Sequence, residues 1–148
     1  MASTYENNAE FDKAKRVYEQ VLERDSSVEP AINNLASLLT DQFYSEENVK
    51  KAMVLAERFK TATEPYYLDT YAWTNVLLGN FVKAQSVLER VVSLSPNVAI
   101  FNYHLGVLHQ KQGNKVEAEN YLNVAKSLAE KQGDTTIAEK VDELLSSL

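Results

Sequence analysis

A helical pattern returns along this chain about every 34 residues, and that period constrains the fold more than any other feature. The small-residue pair Leu105-Gly106 lies 34 residues after Tyr71-Ala72, which in turn lies 36 after Leu35-Ala36. A second column runs beside it. It holds Ala118, Leu122 and Ala125, then Ala84, Leu88 and Val91, then Ala52, Ala56 and Phe59, and first of all Ala14, Tyr18 and Val21. A fixed period of this size marks a repeat architecture, in which each unit is too small to bury its own apolar face and stacks on its neighbours.

Composition agrees with long helices. Only 4 Gly and 3 Pro occur in 148 residues, too few for a chain of many tight β-turns. The formal net charge of -6 and the lack of a basic block argue against nucleic acid or anionic membrane as partner. With no cysteine, disulfides, thiol catalysis and Cys-based zinc sites are excluded, while the redox compartment stays open. No stretch approaches the roughly 20 apolar residues of a membrane span. The opening Met1-Ala2-Ser3-Thr4-Tyr5-Glu6-Asn7-Asn8 lacks the basic and apolar regions of a signal peptide. A soluble protein of cytoplasm or periplasm is expected.

The apolar spacing predicts eight helices, over 10–24, 29–42, 46–61, 65–78, 81–93, 98–112, 115–131 and 135–147. Pro30 and Pro65 sit in first turns, where a missing N–H costs little. Ser45 and Asp134 are candidate N-caps. Gly79-Asn80 and Gly113-Asn114 fall at matching places in consecutive repeats and read as tight interhelical turns. Short connections make neighbouring helices antiparallel. The Ala52 and Ala14 columns stand 38 apart, so a longer loop is expected near Asp41–Glu47.

These residues resemble the tetratricopeptide repeat family. Leu105-Gly106, Gly113-Asn114, Ala118, Leu122 and Ala125 follow its pattern, as do Tyr71-Ala72, Gly79-Asn80-Phe81, Ala84, Leu88 and Pro96. The resemblance implies an all-α, right-handed superhelical solenoid of antiparallel helix pairs filling 1–148 as one domain. It would comprise a half repeat (8–28), full repeats over 29–64, 65–98 and 99–132, and a capping helix over 134–148. The stripe Ile137, Val141, Leu144, Leu145 and Leu148 suits a cap. A fragment of a longer bacterial protein is expected. The first helix, lacking its partner, should expose apolar surface and could support a homodimer.

Residues that could carry chemistry are few. His104 and His109 lie five apart on one helix, about 140° around its axis, and cannot share a metal from one face. No serine stands in a nucleophile elbow, and no Gly-rich phosphate loop occurs. The chain therefore does not read as an enzyme, and no metal or cofactor is expected.

In proteins of this family the first helix of each pair lines the inner groove. Carried over, that implies groove positions Asn33, Ser37 and Thr40, then Tyr66, Asp69, Trp73 and Val76, then Ile100, Tyr103, Val107 and Gln110. The middle inner helix is apolar on two sides, so it either is buried on both or presents a binding surface. The alternative for Trp73 is packing against the neighbouring helix. Some family members grip a chaperone's C-terminal carboxylate with inner Lys, Asn and Arg. Here Asn33, Ser37, Thr70, Ile100 and His104 stand at those places without a cation, so a carboxylate clamp is not expected. The leading expectation is a scaffold binding a peptide or protein segment in a concave groove, anchored by Tyr66, Trp73 and Tyr103. The alternative is a structural spacer or self-association module of a larger assembly.

Overall fold

The computed structural model describes residues 2–148; Met1, included in the expected domain, lies outside them. Nine α-helices follow one another among the described residues: α1 (Ala2–Asn7), α2 (Phe11–Arg24), α3 (Glu29–Asp41), α4 (Glu46–Ala56), α5 (Pro65–Leu77), α6 (Phe81–Leu94), α7 (Ala99–Lys111), α8 (Lys115–Gln132) and α9 (Thr135–Ser147). A short 3-10 helix, Glu57–Thr61, follows α4. The helices pair as α1/α2, α3/α4, α5/α6 and α7/α8, and α9 covers the last pair. The architecture is a right-handed superhelical solenoid of antiparallel helix pairs.

Local chemistry sets the helix ends. Ser45 accepts from the Asn48 N–H at 3.0 Å and Asp134 from the Ile137 N–H at 3.1 Å, each satisfying a donor that the first turn leaves free. The α5/α6 and α7/α8 turns pass through Gly79 (φ 83°) and Gly113 (φ 80°). The residue after each glycine donates to the carbonyl five places back: Asn80 to Asn75 at 2.9 Å, Asn114 to His109 at 2.8 Å. The α1/α2 turn makes the same bond, Glu10 to Tyr5 at 2.7 Å, with Ala9 at φ 59° in the glycine's place. A Cβ strains that left-handed conformation.

Three sequence expectations need correction. Helix α1 is absent from the eight that the apolar spacing predicts, and it supplies part of the partner that α2 is expected to lack. Ala2 and Tyr5 pack with Ala14 and Tyr18, and the Tyr18 hydroxyl donates to Glu6 at 2.7 Å. No residue of α2 is among the large exposed apolar side chains, so the expected bare face on the first helix is largely covered. The third predicted helix is broken: α-helix gives way to the 3-10 turn after Ala56, where Phe59 is buried and stacks on Tyr67 at 4.6 Å. The longer connection near residue 44 is only partly a loop. The α3/α4 connection spans 42–45, and α4 begins six residues before its buried alanine, Ala52, whereas α6 begins three before Ala84.

The core runs as a strip where second helices meet first helices. Ala14, Ala52, Ala84 and Ala118, the alanine column of the sequence, have no solvent exposure, and neither do Leu88 and Leu122. Small side chains there let paired helices approach closely, and the leucines fill the space between. The inner helices α3, α5 and α7 touch both their pair partner and the next repeat. That placement buries α5 and α7 nearly all round and leaves one narrow face on the concave side.

Candidate binding site on the concave face

A cavity of about 110 Å³ opens at the centre of the concave face. Helix α3 supplies Asn33, Ser37, Thr40 and Asp41; α5 supplies Tyr66, Asp69, Thr70 and Trp73; α7 supplies Ile100 and His104. Spacings of three, four and seven residues place each set on one helix face. No lysine or arginine lines the cavity.

Two hydrogen bonds tie the inner helices across this face. The Thr70 hydroxyl donates to Asn33 Oδ1, and His104 Nδ1 lies 2.8 and 2.9 Å from the two carboxylate oxygens of Asp69. The rungs are equivalent. Asn33 and Asp69 precede Leu35-Ala36 and Tyr71-Ala72 by two residues, and each meets the next position of the following repeat. Asp69 and His104 are both only 5% exposed. Burial pushes the Asp69 carboxyl above its usual range, the His104 ring and its hydrogen bond pull it back, and Asp41 nearby pushes it further up. The contact is a hydrogen bond between Nδ1 of the ring and the Asp69 carboxyl group. Among the described residues Nε2 has no hydrogen-bond partner. The hydroxyls nearby are directed elsewhere: Thr40 toward the Ser37 carbonyl and Asp41, Thr70 toward Asn33 and the Tyr66 carbonyl. Neither threonine hydroxyl is bonded to the His104 ring.

Trp73 stacks on the His104 ring, centroids 4.0 Å apart and planes 12° from parallel, and also borders the cavity. Trp73 thus packs against the neighbouring inner helix, as the alternative reading expects. Its Nε1 is buried without a partner. Tyr66 is 52% exposed at the rim, its ring 4.8 Å from Phe101.

A sequence model of the tetratricopeptide repeat matches residues 1–27, the α1/α2 pair. Solved structures superpose on most or nearly all of the solenoid. TTC0263, a thermophilic TPR protein of Thermus thermophilus, does so with a TM-score of 0.70 at 16% identity, over 97% of this chain and 86% of that one. YrrB, described as a TPR protein with an unusual peptide-binding site, gives 0.65 at 19% identity over 96% and 71%. PcrH of Pseudomonas aeruginosa, in complex with the chaperone binding region of PopB, gives 0.61 at 18% identity over 78% of this chain and 95% of that one. Residues 1–27 match the tetratricopeptide repeat, and the chain as a whole shares the fold of these structures. No curated protein matches it in sequence.

Within this fold the expected groove residues divide. Asn33, Ser37, Tyr66, Asp69, Trp73 and Ile100 converge on the cavity, with Thr40 beside them. Val76 and Val107 do not: they are 1% and 5% exposed and pack with Leu88, Leu105 and Leu108. An inner helix touches two neighbours, so its second apolar stripe is core rather than groove. Tyr103 also lies off the cavity. It sits 6.2 Å from Trp73 and packs toward Leu144 of α9. Burial raises its phenol above the ordinary value, with the Asp41 and Glu143 carboxylates adding to the effect. His109 faces away, stacked on Tyr121 at 5.5 Å.

A larger apolar cleft of about 320 Å³ lies between α2, α3 and α4, over Leu35, Leu39, Val54 and Leu55. Its cations are already engaged, Lys15 with Glu19 at 3.8 Å and Lys51 with Glu47 at 3.4 Å. It offers no group waiting for a polar partner, whereas the concave cavity does. Among the described residues no helix is long and apolar enough to cross a membrane, and no cluster of three or more acidic or histidine side chains is placed to hold a metal ion.

Proposed function

We propose that this protein is an interaction module whose concave face receives a segment of a partner protein, with Trp73 and Tyr66 as its aromatic contacts. The observation that carries the reading is the concave cavity: three successive inner helices wall it, and a tryptophan stacked on a histidine borders it. At about 110 Å³ it is well below the roughly 300–1,000 Å³ of drug-sized sites and suits one side chain of a longer ligand. The site is tied together by the Asn33–Thr70 and Asp69–His104 rungs, so little ordering remains for the receptor on binding. The peptide-binding site named for YrrB and the PopB segment held by PcrH are precedents for this use of the fold. Truncating a central aromatic contact costs about 2 kcal/mol or more of binding.

A photo-crosslinking amino acid placed at Ser37, on the cavity, and separately at Val82, on the opposite side of the repeat, tests the reading in cells that express the protein. A partner crosslinked from Ser37 and not from Val82 is expected. The reverse pattern would move the interface to the second helices.

A second reading, self-association, draws on one observation. Val54, Val82, Leu94, Val116 and Val124, all on second helices, are among the exposed large apolar side chains. Val82 and Val116 stand one repeat apart at 86% and 67% exposure. Singly exposed valines are common on monomers, so this reading stays second. Light scattering that gives a dimer mass at high concentration, abolished by Val82→Glu with Val116→Glu, would promote it.

A further inference from the structure

The charged lining of the concave cavity is acidic: the Asp41 carboxylate stands at the end of α3, and the Asp69 carboxyl group is bonded to His104. The hydroxyl protons of Thr40 and Thr70 already have acceptors. No lysine or arginine balances the acidic groups. Beside the acceptors stand the aromatic rings of Trp73 and Tyr66. A ligand group that suits such walls carries positive charge, donates hydrogen bonds to a carboxylate and tolerates an aromatic surface.

We infer that the cavity takes the head group of a basic side chain, arginine in particular, presented by the segment that docks on the concave face. This deepens the binding reading above and rests on it. The guanidinium offers five N–H donors in one plane and no acceptor, and it stacks on aromatic faces. Its few heavy atoms suit a space of about 110 Å³. An anionic group would meet the Asp41 carboxylate with no lysine or arginine in the lining, and an aliphatic one would leave that carboxylate without a counter-charge. The net charge of -6 adds a long-range attraction for a basic segment.

The test uses the whole chain and its single tryptophan, Trp73, as reporter. Peptides are selected from a random display library on the immobilised protein, then titrated while Trp73 emission is followed. The expected result is a consensus with an arginine, a saturable change in emission, and at least a tenfold loss of affinity when that arginine is replaced by citrulline, its uncharged counterpart. Asp41→Asn, at an exposed position, should give a loss in the same direction. The citrulline exchange leaves the protein untouched, so a folding defect cannot imitate it. Selected peptides that change Trp73 emission but carry no basic consensus, and bind Asp41→Asn and wild type alike, would overturn the basic-side-chain inference and leave concave binding standing. Peptides that bind with no response from Trp73, or a selection that yields none, would overturn both.

Discussion

Gly106 is the residue at which close helix packing makes its sharpest prediction. It lies buried on α7 where α8 crosses closest, and a Cβ built there would meet Leu122 Cγ and Cδ2 at 2.8 Å and the Leu122 backbone N at 3.3 Å. Carbon pairs rest at about 3.5–4.0 Å, so an alanine intrudes by roughly 0.7 Å or more. Rotating χ2 moves Cδ2 but not Cγ, and Leu122 is itself fully buried, so the clash is relieved only by shifting α8 or leaving a good rotamer. Overpacking of this kind costs about 1–3 kcal/mol. Alanine in place of glycine within a helix returns about 1 kcal/mol. Gly106→Ala should therefore destabilise by about 1 kcal/mol, a fall in Tm of about 2–4 °C. The decisive feature is the sign in a second background. In Leu122→Ala, itself about 2–5 kcal/mol less stable, the two side-chain clashes are gone and only the milder approach to the backbone N at 3.3 Å remains, so Gly106→Ala should stabilise by up to about 1 kcal/mol. Urea denaturation of the four proteins measures the coupling between the two sites. If Gly106→Ala stabilises both backgrounds equally, helix propensity alone governs the site and the close-packing argument fails.

Other predictions follow from the helix ends and from Tyr18. Ala9→Gly relieves the left-handed strain at the α1/α2 turn, and after glycine's greater unfolded-state freedom is deducted it should stabilise by about 0.5–1 kcal/mol; a loss of stability by chemical denaturation would contradict that reading of the turn. Ser45→Ala and Asp134→Ala each remove a capping acceptor and should cost about 1 kcal/mol in the same assay, while the Gly variants should cost only a few tenths. Burial, together with the hydrogen bond to Glu6 and its charge, raises the Tyr18 phenol from 10.0 to about 12. The folded chain holds this proton more tightly than the unfolded one, so the contribution is complete below pH 10 and is lost as pH rises through about 12. The stability difference between wild type and Tyr18→Phe should shrink over that interval; a constant difference would mean that Tyr18 titrates normally.

Much of the fold is legible in the sequence because stacking repeats the same contacts. The alanine column marks where second helices approach first helices, and it sets the register of α2, α4, α6 and α8 without reference to helix propensity. Helix α1 escapes that reading since six residues with little buried apolar surface carry too little periodicity. Yet Ala2 stands seven residues before Ala9, as Ala72 does before Gly79 and Gly106 before Gly113, so the column does contain the signal. The groove is half legible. The family resemblance carries groove positions over to Asn33, Ser37, Asp69 and Trp73, which line the cavity. It cannot separate groove from core at Val76 and Val107, because a helix held between two neighbours is apolar on both. The Asp69–His104 pair is invisible to local pattern, being set by the offset of one repeat and one residue that only the stacking geometry produces. The preceding rung, Asn33 to Thr70, obeys the same offset in the longer repeat.

The central claim, that binding occurs on the concave face, is tested most directly by mapping backbone amide chemical shifts in the isotopically labelled protein as a display-selected peptide is added. The largest changes are predicted to fall on the inner-helix residues Ser37, Thr40, Trp73 and His104, with the Trp73 indole N–H moving among them. Changes confined to the outer faces of α4, α6 and α8, with the Trp73 and His104 signals unmoved, would contradict it.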